Sequence, residues 1–302
     1  MNTAVDIAGI EYKSPVFLAS GTAGFGFEFA EILDISRLGG IVTKTITPLP
    51  RAGNPPPRIF ETPCGMLNSI GLANPGLDGF LNDVVPNLEN MPTDVIVSVG
   101  GSSIDEFIHL VEAVSALNFV SAIELNLSCP NVKKGGIHFG RDATVVEKLM
   151  RTLRKRTDKK LWAKLSPQVT DIVELALAAC SGGADAIAVT NTLPAMAIDI
   201  WTRKSHLGAG TGGLSGSAIR PVAVALINTL FSKISVPIIG LGGISHPEDA
   251  VELILAGASA IQIGSGAFAN PMLPIKAHEF LSEYSEKQGF DSVAEFVGAI
   301  RK

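Results

Sequence analysis

The stretch Ala122-Ile-Glu-Leu-Asn-Leu-Ser-Cys-Pro-Asn131 joins a short apolar run to a turn rich in polar groups. The run predicts a buried strand, and Pro130 prevents its continuation as a central strand. Asn126, Cys129 and Asn131 then lie where the strand becomes a loop. Enzymes with α/β folds carry reactive groups at such strand ends, whereas an isolated buried cysteine usually acts as a small hydrophobic residue. The stretch therefore predicts either a reactive site or an inert strand end.

Seven similar apolar runs alternate with helical patterns along the rest of the chain. Their nearly continuous hydrophobicity is typical of parallel strands covered on both faces. Eight such units in 302 residues favour a (β/α)8 TIM barrel over a doubly wound sheet, with one domain spanning 1–302. The predicted strands are Pro15–Ser20, Gly40–Lys44, Val95–Val99, Ile123–Asn126, Leu161–Lys164, Ala186–Asn191, Val236–Ile239 and Ala260–Ile263.

Two insertions interrupt this alternation, one after strand 2 and one after strand 6. Thr45–Asn74 is rich in proline and glycine and is expected to be irregular, and Thr192–Gly216 is the second long insertion. Insertions of this length after a barrel strand usually form a wall or lid of a functional site. The predicted helices are Glu28–Ser36, Gly76–Leu88, Ile104–Leu117, Thr144–Arg156, Ile172–Ala179, Pro221–Phe231, Pro247–Ala256 and Pro274–Gln288.

Composition narrows the functional class. The net charge of −5 and the pI near 5.6 argue against nucleic-acid binding. No apolar run reaches about 18 residues, so no membrane span is expected, and the first residues lack the pattern of a signal peptide. Three widely spaced cysteines suit a reducing cytoplasm and offer no metal-binding spacing. A cytoplasmic protein without a metal site is predicted.

The last two predicted strands both lead into glycine-rich loops. Gly240-Leu-Gly-Gly-Ile-Ser245 follows strand 7, and Gly264-Ser265-Gly266 follows strand 8. In TIM barrels these loops commonly bind phosphate, because glycine allows close backbone approach and helix starts attract anions. Ser245 and Glu248 have capping-box spacing, and Gly216 offers a third glycine loop. The pattern predicts a mononucleotide phosphate, although the same glycines also suit tight turns and close packing.

Polar residues at the ends of the other predicted strands form a candidate reacting centre. Lysines at this rim are suited to stabilising negative charge on a reduced ring or a carboxylate. Asparagines offer both a donor and an acceptor, which suits a pyrimidine-like ring. The residues in question are Ser20, Lys44, Ser98, Asn126, Lys164, Thr190 and Asn191, with Asn68 added from the first insertion.

Cys129 is the side chain at this rim that best fits a general base. A thiol near its ordinary pKa of about 8.5 is a reasonable base where positive neighbours favour the thiolate. The histidines are scattered, with no metal-binding or triad spacing.

Taken together, these motifs resemble the dihydroorotate dehydrogenases, which are FMN enzymes on a TIM barrel, along essentially the whole chain. The most specific are Glu124–Asn131, Asn68-Ser-Ile-Gly-Leu72, Thr190-Asn-Thr192, Gly212-Gly-Leu-Ser-Gly216 and Gly240–Ser245. The resemblance implies oxidation of dihydroorotate to orotate in pyrimidine synthesis. Cys129 would remove the C5 proton while C6 delivers hydride to N5 of FMN.

The resemblance also assigns binding roles to residues of this chain. Lys164 would lie near the N1 and O2 edge of the flavin, and Ser98 stands where the family often has asparagine beside it. FMN would be held by Ser20, Lys44, Thr45, Ser98, Asn126, Lys164, Thr190, Gly216, Gly242, Gly243, Gly264 and Ser265. The substrate would be held by Lys44, Asn68, Ser69, Ile70, Gly71, Leu72, Asn126, Asn191 and Thr192.

Other features resemble one class within the family. Cysteine at position 129 is similar to class 1, and Asn131–Gly136, Gly53–Arg58, Ile198-Asp199 and Thr202-Arg-Lys204 resemble the NAD-linked class 1B. This implies a partner subunit carrying FAD and an iron–sulfur cluster, in a hetero-oligomer on a homodimer core. Trp201, Ser205 and the Gly208-Ala-Gly210 run depart from the usual class 1B sequence.

Three alternatives remain open at the level of sequence. One is a class 1A-like enzyme that works alone with fumarate. Another is a non-redox phosphate-binding barrel, such as a sugar-phosphate isomerase or synthase. The third is a barrel that binds ligands without catalysing a reaction.

Overall fold

Eight parallel strands close into a barrel in the computed structural model, which describes residues 3–127 and 140–301. Each strand pairs with its neighbours in chain order, and the eighth pairs with the first. The predicted TIM barrel is confirmed. The strands are β1 Val16–Leu18, β2 Gly40–Val42, β3 Val95–Val99, β4 Val120–Asn126, β5 Lys160–Lys164, β6 Ala186–Val189, β7 Ile238–Leu241 and β8 Ala260–Ile263.

Aromatic side chains fill one end of the barrel. Phe17 on β1 and Trp162 on β5 are fully buried, and their ring centroids lie 5.7 Å apart. An N-terminal hairpin, Val5–Ile7 with Ile10–Tyr12, adds Tyr12 to this cluster. The Tyr12 hydroxyl lies 3.3 Å from Ser121 near the start of β4, so the cluster closes the amino end of the barrel. The carboxyl end is left for polar side chains.

The helices pack outside the barrel and begin at the residue types that favour helix starts. Ser103, Asp142 and Asp171 each accept hydrogen bonds from backbone N–H groups of the helix that follows. The helices are Phe27–Ile32, Gly76–Gly79 continuing through the π-helical Phe80–Val84 into Val85–Leu88, Ile104–Ser115, Ala143–Arg154, Ile172–Ser181, Arg220–Phe231, Pro247–Ala256, Gly266–Ala269 and Leu273–Gln288, with 3₁₀ turns at Ile35–Arg37, Ser217–Ile219 and Val293–Phe296.

The helix after β7 starts differently from the prediction. The backbone N–H groups of Ser245 and His246 both donate to the Asp249 carboxylate at 2.8 Å. The predicted pair of Ser245 and Glu248 is therefore wrong by one position, because the helix begins at Pro247 and its third residue is Asp249. The Ser245 hydroxyl instead donates to the Gly243 carbonyl.

The two insertions pair with each other, and the first is more regular than expected. Strands from both insertions form one antiparallel four-stranded sheet in the order Leu193–Ala195, Gly212–Ser215, Gly65–Asn68 and Ile59–Thr62. A small hairpin, Ile198–Asp199 with Lys204–Ser205, extends from the second insertion. The prediction of an irregular first insertion is wrong here because its strand Gly65–Asn68 pairs with a segment that is distant in sequence. This sheet forms a wall beside the carboxyl end of the barrel.

The described part of the chain contains no helix long and apolar enough to cross a membrane.

Candidate active site at the carboxyl ends of the barrel strands

A cavity of about 330 Å³ lies at the carboxyl end of the barrel. This volume is within the range of about 300–1,000 Å³ typical of ligand sites. The cavity brings together strand ends, the glycine loops and the four-stranded sheet. Among the predicted site residues, it is lined by Ser20, Lys44, Thr45, Asn68, Ile70, Leu72, Asn126, Lys164, Thr190, Asn191, Thr192, Gly216, Gly242, Gly243, Gly264 and Ser265.

Three predicted residues do not reach the cavity wall. Ser98 is fully buried behind Thr45, and their hydroxyl oxygens are 2.9 Å apart. Ser69 is held by its neighbours, since its N–H donates to the Arg58 carbonyl and its hydroxyl accepts from Asn54. Gly71, with a φ of 72°, forms the turn between two lining residues. Cys129 lies outside the described residues.

Thr45 is the centre of a group of hydrogen bonds at the end of β2. Its hydroxyl accepts from the Asn126 side-chain amide at 3.2 Å and lies 3.3 Å from the Ser20 hydroxyl. The Ser20 hydroxyl also donates to the Thr43 carbonyl at 2.8 Å. These contacts join the ends of three barrel strands, β1, β2 and β4. They fix the position of Asn126, which precedes Cys129 by three residues in the sequence.

The two lysines lie in different surroundings. Lys44 is half-buried, and its pKa is lowered by burial and, to a smaller extent, by the nearby Arg58 guanidinium. Lys164 is almost fully buried, and its Nζ lies 3.5 Å from Oε1 of Glu124. Both ammonium groups are placed to interact with negative charge in the cavity.

Asn68 and Asn191 are both held by hydrogen bonds at the rim of the cavity. The Asn68 side chain donates to the Gly213 carbonyl at 3.2 Å, across the pairing between the two insertions. The side-chain oxygen of Asn191 accepts from the Thr192 N–H at 2.8 Å. Both contacts orient amide groups at the rim, where they can offer donors and acceptors to a ring.

The glycine loops form the opposite side of the cavity. A Cβ on Gly243, which has a φ of 84°, would lie 2.5 Å from the Arg220 backbone. A Cβ on Gly264 would make ordinary van der Waals contact with Ala19 and Thr22, with no heavy atom closer than 3.7 Å. Packing within the protein therefore does not require glycine at this position of the cavity wall, whereas close approach of a ligand to the backbone would favour it.

Sequence reasoning missed several lining residues. Gln262 is the most informative, because its side-chain oxygen is buried and has no hydrogen-bond partner among the described residues. It precedes Gly264 by two positions, and residues two apart in an extended segment share a face. This spacing could have indicated that Gln262 lies beside the predicted phosphate loop. The apolar walls were not predicted and include Ile59, Met66, Ile219, Ile244 and Phe268.

Comparison with known proteins places this geometry in a family. The family model described as Dihydroorotate dehydrogenase matches residues 2–284. The chain belongs to the dihydroorotate dehydrogenase family. The resemblance predicted from the motifs is therefore confirmed, as is the expectation that the chain is an oxidoreductase.

Individual relatives are similar over nearly their whole length. Those named dihydroorotate dehydrogenase B (NAD(+)), catalytic subunit, include proteins from Caldicellulosiruptor bescii, 48% identical over 99% of both chains, and Bacteroides fragilis, 45% identical over 98% of both. A protein from Aquifex aeolicus with the provisional name dihydroorotate dehydrogenase A (fumarate) is 45% identical over 99% of this chain and 98% of its own. The resemblance to the NAD-linked class is confirmed. The sequence identity to the relative named for fumarate is nevertheless similar to the identity to those named for NAD(+).

Membership of the family implies a flavin cofactor, and the residues of the cavity fit one. The unpartnered oxygen of Gln262 can accept from a ring N–H, and Lys164 offers a cation at the same site. The Gly264 backbone in the cavity wall and the start of the next helix suit a phosphate. Apolar side chains such as Met66 and Ile244 suit the body of the ring.

Proposed function

We propose that this chain oxidises dihydroorotate to orotate in pyrimidine synthesis, with FMN as its cofactor. The observation that carries the proposal is a single cavity lined by two lysines, three asparagines and the glycine loops, in a chain of this family. In this proposal residues 1–302 form one FMN-binding catalytic domain. FMN, when bound, supplies the ring that accepts hydride.

The chain's own residues have distinct tasks in this mechanism. Cys129 removes the C5 proton, since a thiolate is a competent base near neutral pH. Lys44 pairs with the substrate carboxylate, and Asn68, Asn126 and Asn191 orient the pyrimidine ring through donors and acceptors. Thr192 and the Ser69–Leu72 turn, with Gly71 at its bend and Ile70 and Leu72 in the cavity wall, complete the substrate site.

The remaining residues bind the cofactor. Lys164 stabilises negative charge near the ring, and Ser20, Thr45 and Thr190 hydrogen-bond around it. Ser98 acts through Thr45, whose hydroxyl it contacts. The phosphate is bound by backbone groups of the glycine loops, which contain Gly216, Gly242, Gly243, Gly264 and Ser265. The apolar side chains of the wall exclude water from the reacting centre.

For the electron acceptor we propose NAD, reached through a partner subunit that carries FAD and an iron–sulfur cluster. The relatives named as NAD(+)-linked catalytic subunits support this choice. A hairpin of the second insertion exposes Ile200 and Trp201, the latter by 87%, which suits a protein contact. The assembly would be a hetero-oligomer on a homodimer core in the cytoplasm, where widely spaced thiols stay reduced.

The experiment that tests the activity is the absorption spectrum of the purified chain before and after anaerobic dihydroorotate. We expect a flavin spectrum that bleaches on addition of the substrate. A colourless chain that also fails to take up FMN would contradict the proposal and favour a non-redox phosphate-binding barrel.

A cysteine variant tests the assigned base. Cys129→Ala should retain FMN but slow its reduction by about two to four powers of ten, as expected for a lost general base. Cys180→Ala is the matched control, because Cys180 lies on the outer helix Ile172–Ser181, and it should reduce at the wild-type rate. Equal rates in both variants would remove Cys129 from this role.

The acceptor is tested separately by multiple-turnover assays. The chain alone should turn over with neither fumarate nor NAD, and addition of the partner subunit should restore turnover with NAD. Turnover with fumarate in the absence of a partner would contradict the NAD-linked proposal and favour the class 1A-like alternative.

A further inference from the structure

Glu124 is a carboxylate enclosed inside the barrel, on β4 between the apolar residues Ile123 and Leu125. It is 0% exposed, and the only other acidic residue below 9% exposure in the described ranges is Asp249, at a helix start. Enclosing a carboxylate costs several kcal/mol unless its oxygens are compensated. Oε1 of Glu124 lies 3.5 Å from Lys164 Nζ, and Oε2 accepts from Gln262 Nε2 at 2.8 Å. Each oxygen therefore contacts a different side chain.

Both of those side chains line the cavity, whereas Glu124 does not. Lys164 comes from β5 and Gln262 from β8, so Glu124 on β4 joins three separate strands. A residue in this position influences a ligand only through the side chains that it holds.

The contact with Glu124 also determines which end of the Gln262 amide faces the cavity. A carboxylate accepts hydrogen bonds, so the NH₂ end of the amide must face it. The Gln262 oxygen then points away from Glu124 and has no partner among the described residues. A buried acceptor without a partner is costly, and a ligand N–H would satisfy it.

We propose that Glu124 is a positioning residue for the flavin site, which aims Lys164 as a cationic donor and Gln262 as an acceptor. A flavin ring presents acceptors and one N–H along its pyrimidine edge, so a fixed donor and a fixed acceptor recognise that edge. This inference rests on the flavin binding proposed above. It adds to that function two residues, Glu124 and Gln262, that the motif resemblance does not assign.

The test is a double-mutant cycle measured as FMN affinity of the flavin-free chain. Glu124→Gln keeps the size of the side chain and removes its charge, and we expect FMN to bind about tenfold more weakly, on the scale of one charge-assisted hydrogen bond. Gln262→Met removes the acceptor and should also weaken binding. Each single variant weakens FMN affinity by some factor. Because Glu124 acts through Gln262, the factor for the double variant should be at least about threefold smaller than the product of the two single factors.

A second cycle uses Lys164→Gln in place of Gln262→Met and should show the same shortfall. It also covers the case in which one of the single variants fails to fold. Losses that multiply in both cycles would overturn the inference, because Glu124 would then act independently of the two side chains.

The midpoint potential of the bound flavin provides a second readout in the same cycle. Because Glu124 acts through Lys164, the shift in potential that Glu124→Gln causes in the wild-type background should shrink in the Lys164→Gln background. An equal shift in both backgrounds would contradict the inference, because it would come from the Glu124 charge alone.

Asp185→Asn is the matched control. This substitution also removes a carboxylate that pairs with a cation, since Asp185 lies 2.8 Å from the Arg154 guanidinium. Asp185, however, lies at the amino end of β6. Asp185→Asn should lower stability without changing FMN affinity or potential. A wild-type chain that binds no FMN would refute the proposed function itself. Normal FMN binding by both the wild type and Glu124→Gln would refute only the role of Glu124.

Discussion

The carboxyl ends of β2 and β5 each present a lysine to the cavity, but the two lysines are compensated in opposite ways. Lys164 is almost fully buried against the Glu124 carboxylate. Lys44 is half-buried beside the Arg58 guanidinium, and the described residues place no carboxylate within ion-pair distance of it. The charge of Lys164 is thus balanced within the protein, whereas the charge of Lys44 is left for a ligand to balance.

This difference suggests a division of labour between the two strand ends. A cation held by an internal carboxylate has a fixed position and suits a resident cofactor. A partly desolvated cation without an internal counter-charge gains most from an incoming anion, which suits a substrate carboxylate. Two lysines that are equivalent in the barrel pattern therefore have different partners.

The largest expected difference is in folding stability. Lys164→Met leaves Glu124 buried without its cation and should lower the free energy of unfolding by about 3–5 kcal/mol. Lys44→Met leaves no buried charge unpaired and should cost about 1 kcal/mol or less, mainly through altered packing. Urea unfolding of both flavin-free variants measures the difference. Equal losses would show that Glu124 does not depend on Lys164 for compensation.

The next difference concerns pH. The lowered pKa of Lys44 means that its charge is lost, as pH rises, earlier than the charge of an ordinary lysine. Orotate affinity should therefore decline with rising pH, by up to about tenfold per pH unit above that pKa. Lys44→Arg keeps its charge over this range and should flatten the decline. Titrating both proteins with the same ligand cancels the ligand's own ionisation, and identical profiles would contradict the role of Lys44.

A smaller effect is expected at the neutral hydrogen bonds that order the end of β2. Thr45→Val keeps the shape of the side chain but removes the hydroxyl that contacts Ser20, Ser98 and Asn126. The expected loss of stability is about 1 kcal/mol, with little dependence on salt because no charge is involved. Thr152→Val, at a partly exposed position of an outer helix, is the control and should change stability by about 0.5 kcal/mol or less. A salt-dependent loss would contradict this description of the β2 end.

The sequence predicted the barrel because buried parallel strands are apolar along their whole length and alternate with amphipathic helices. It predicted most of the cavity lining because the closed topology brings the strand ends to one rim. It did not predict the sheet that joins Gly65–Asn68 to Gly212–Ser215, since these short glycine-containing strands pair across a long separation in sequence. Nor did it assign a role to Glu124 or Gln262. Their importance depends on distances across the barrel. A carboxylate between the apolar residues of a predicted strand could nevertheless have indicated an unusual buried charge.

The smallest effect concerns the cause of the lowered pKa of Lys44. Burial is the larger cause and the Arg58 guanidinium the smaller. Arg58→Gln should therefore raise the pKa of Lys44 only part of the way towards that of an ordinary lysine, because desolvation remains. The alkaline decline in orotate affinity should move to higher pH by the same amount. Arg58 also donates to the Asn54 and Ala52 carbonyls, so orotate affinity near neutral pH serves as the control for an intact loop. If neutral-pH affinity is unchanged and the decline moves to lower pH, Arg58 does not repel the Lys44 ammonium. The lowered pKa of Lys44 would then be due to burial alone.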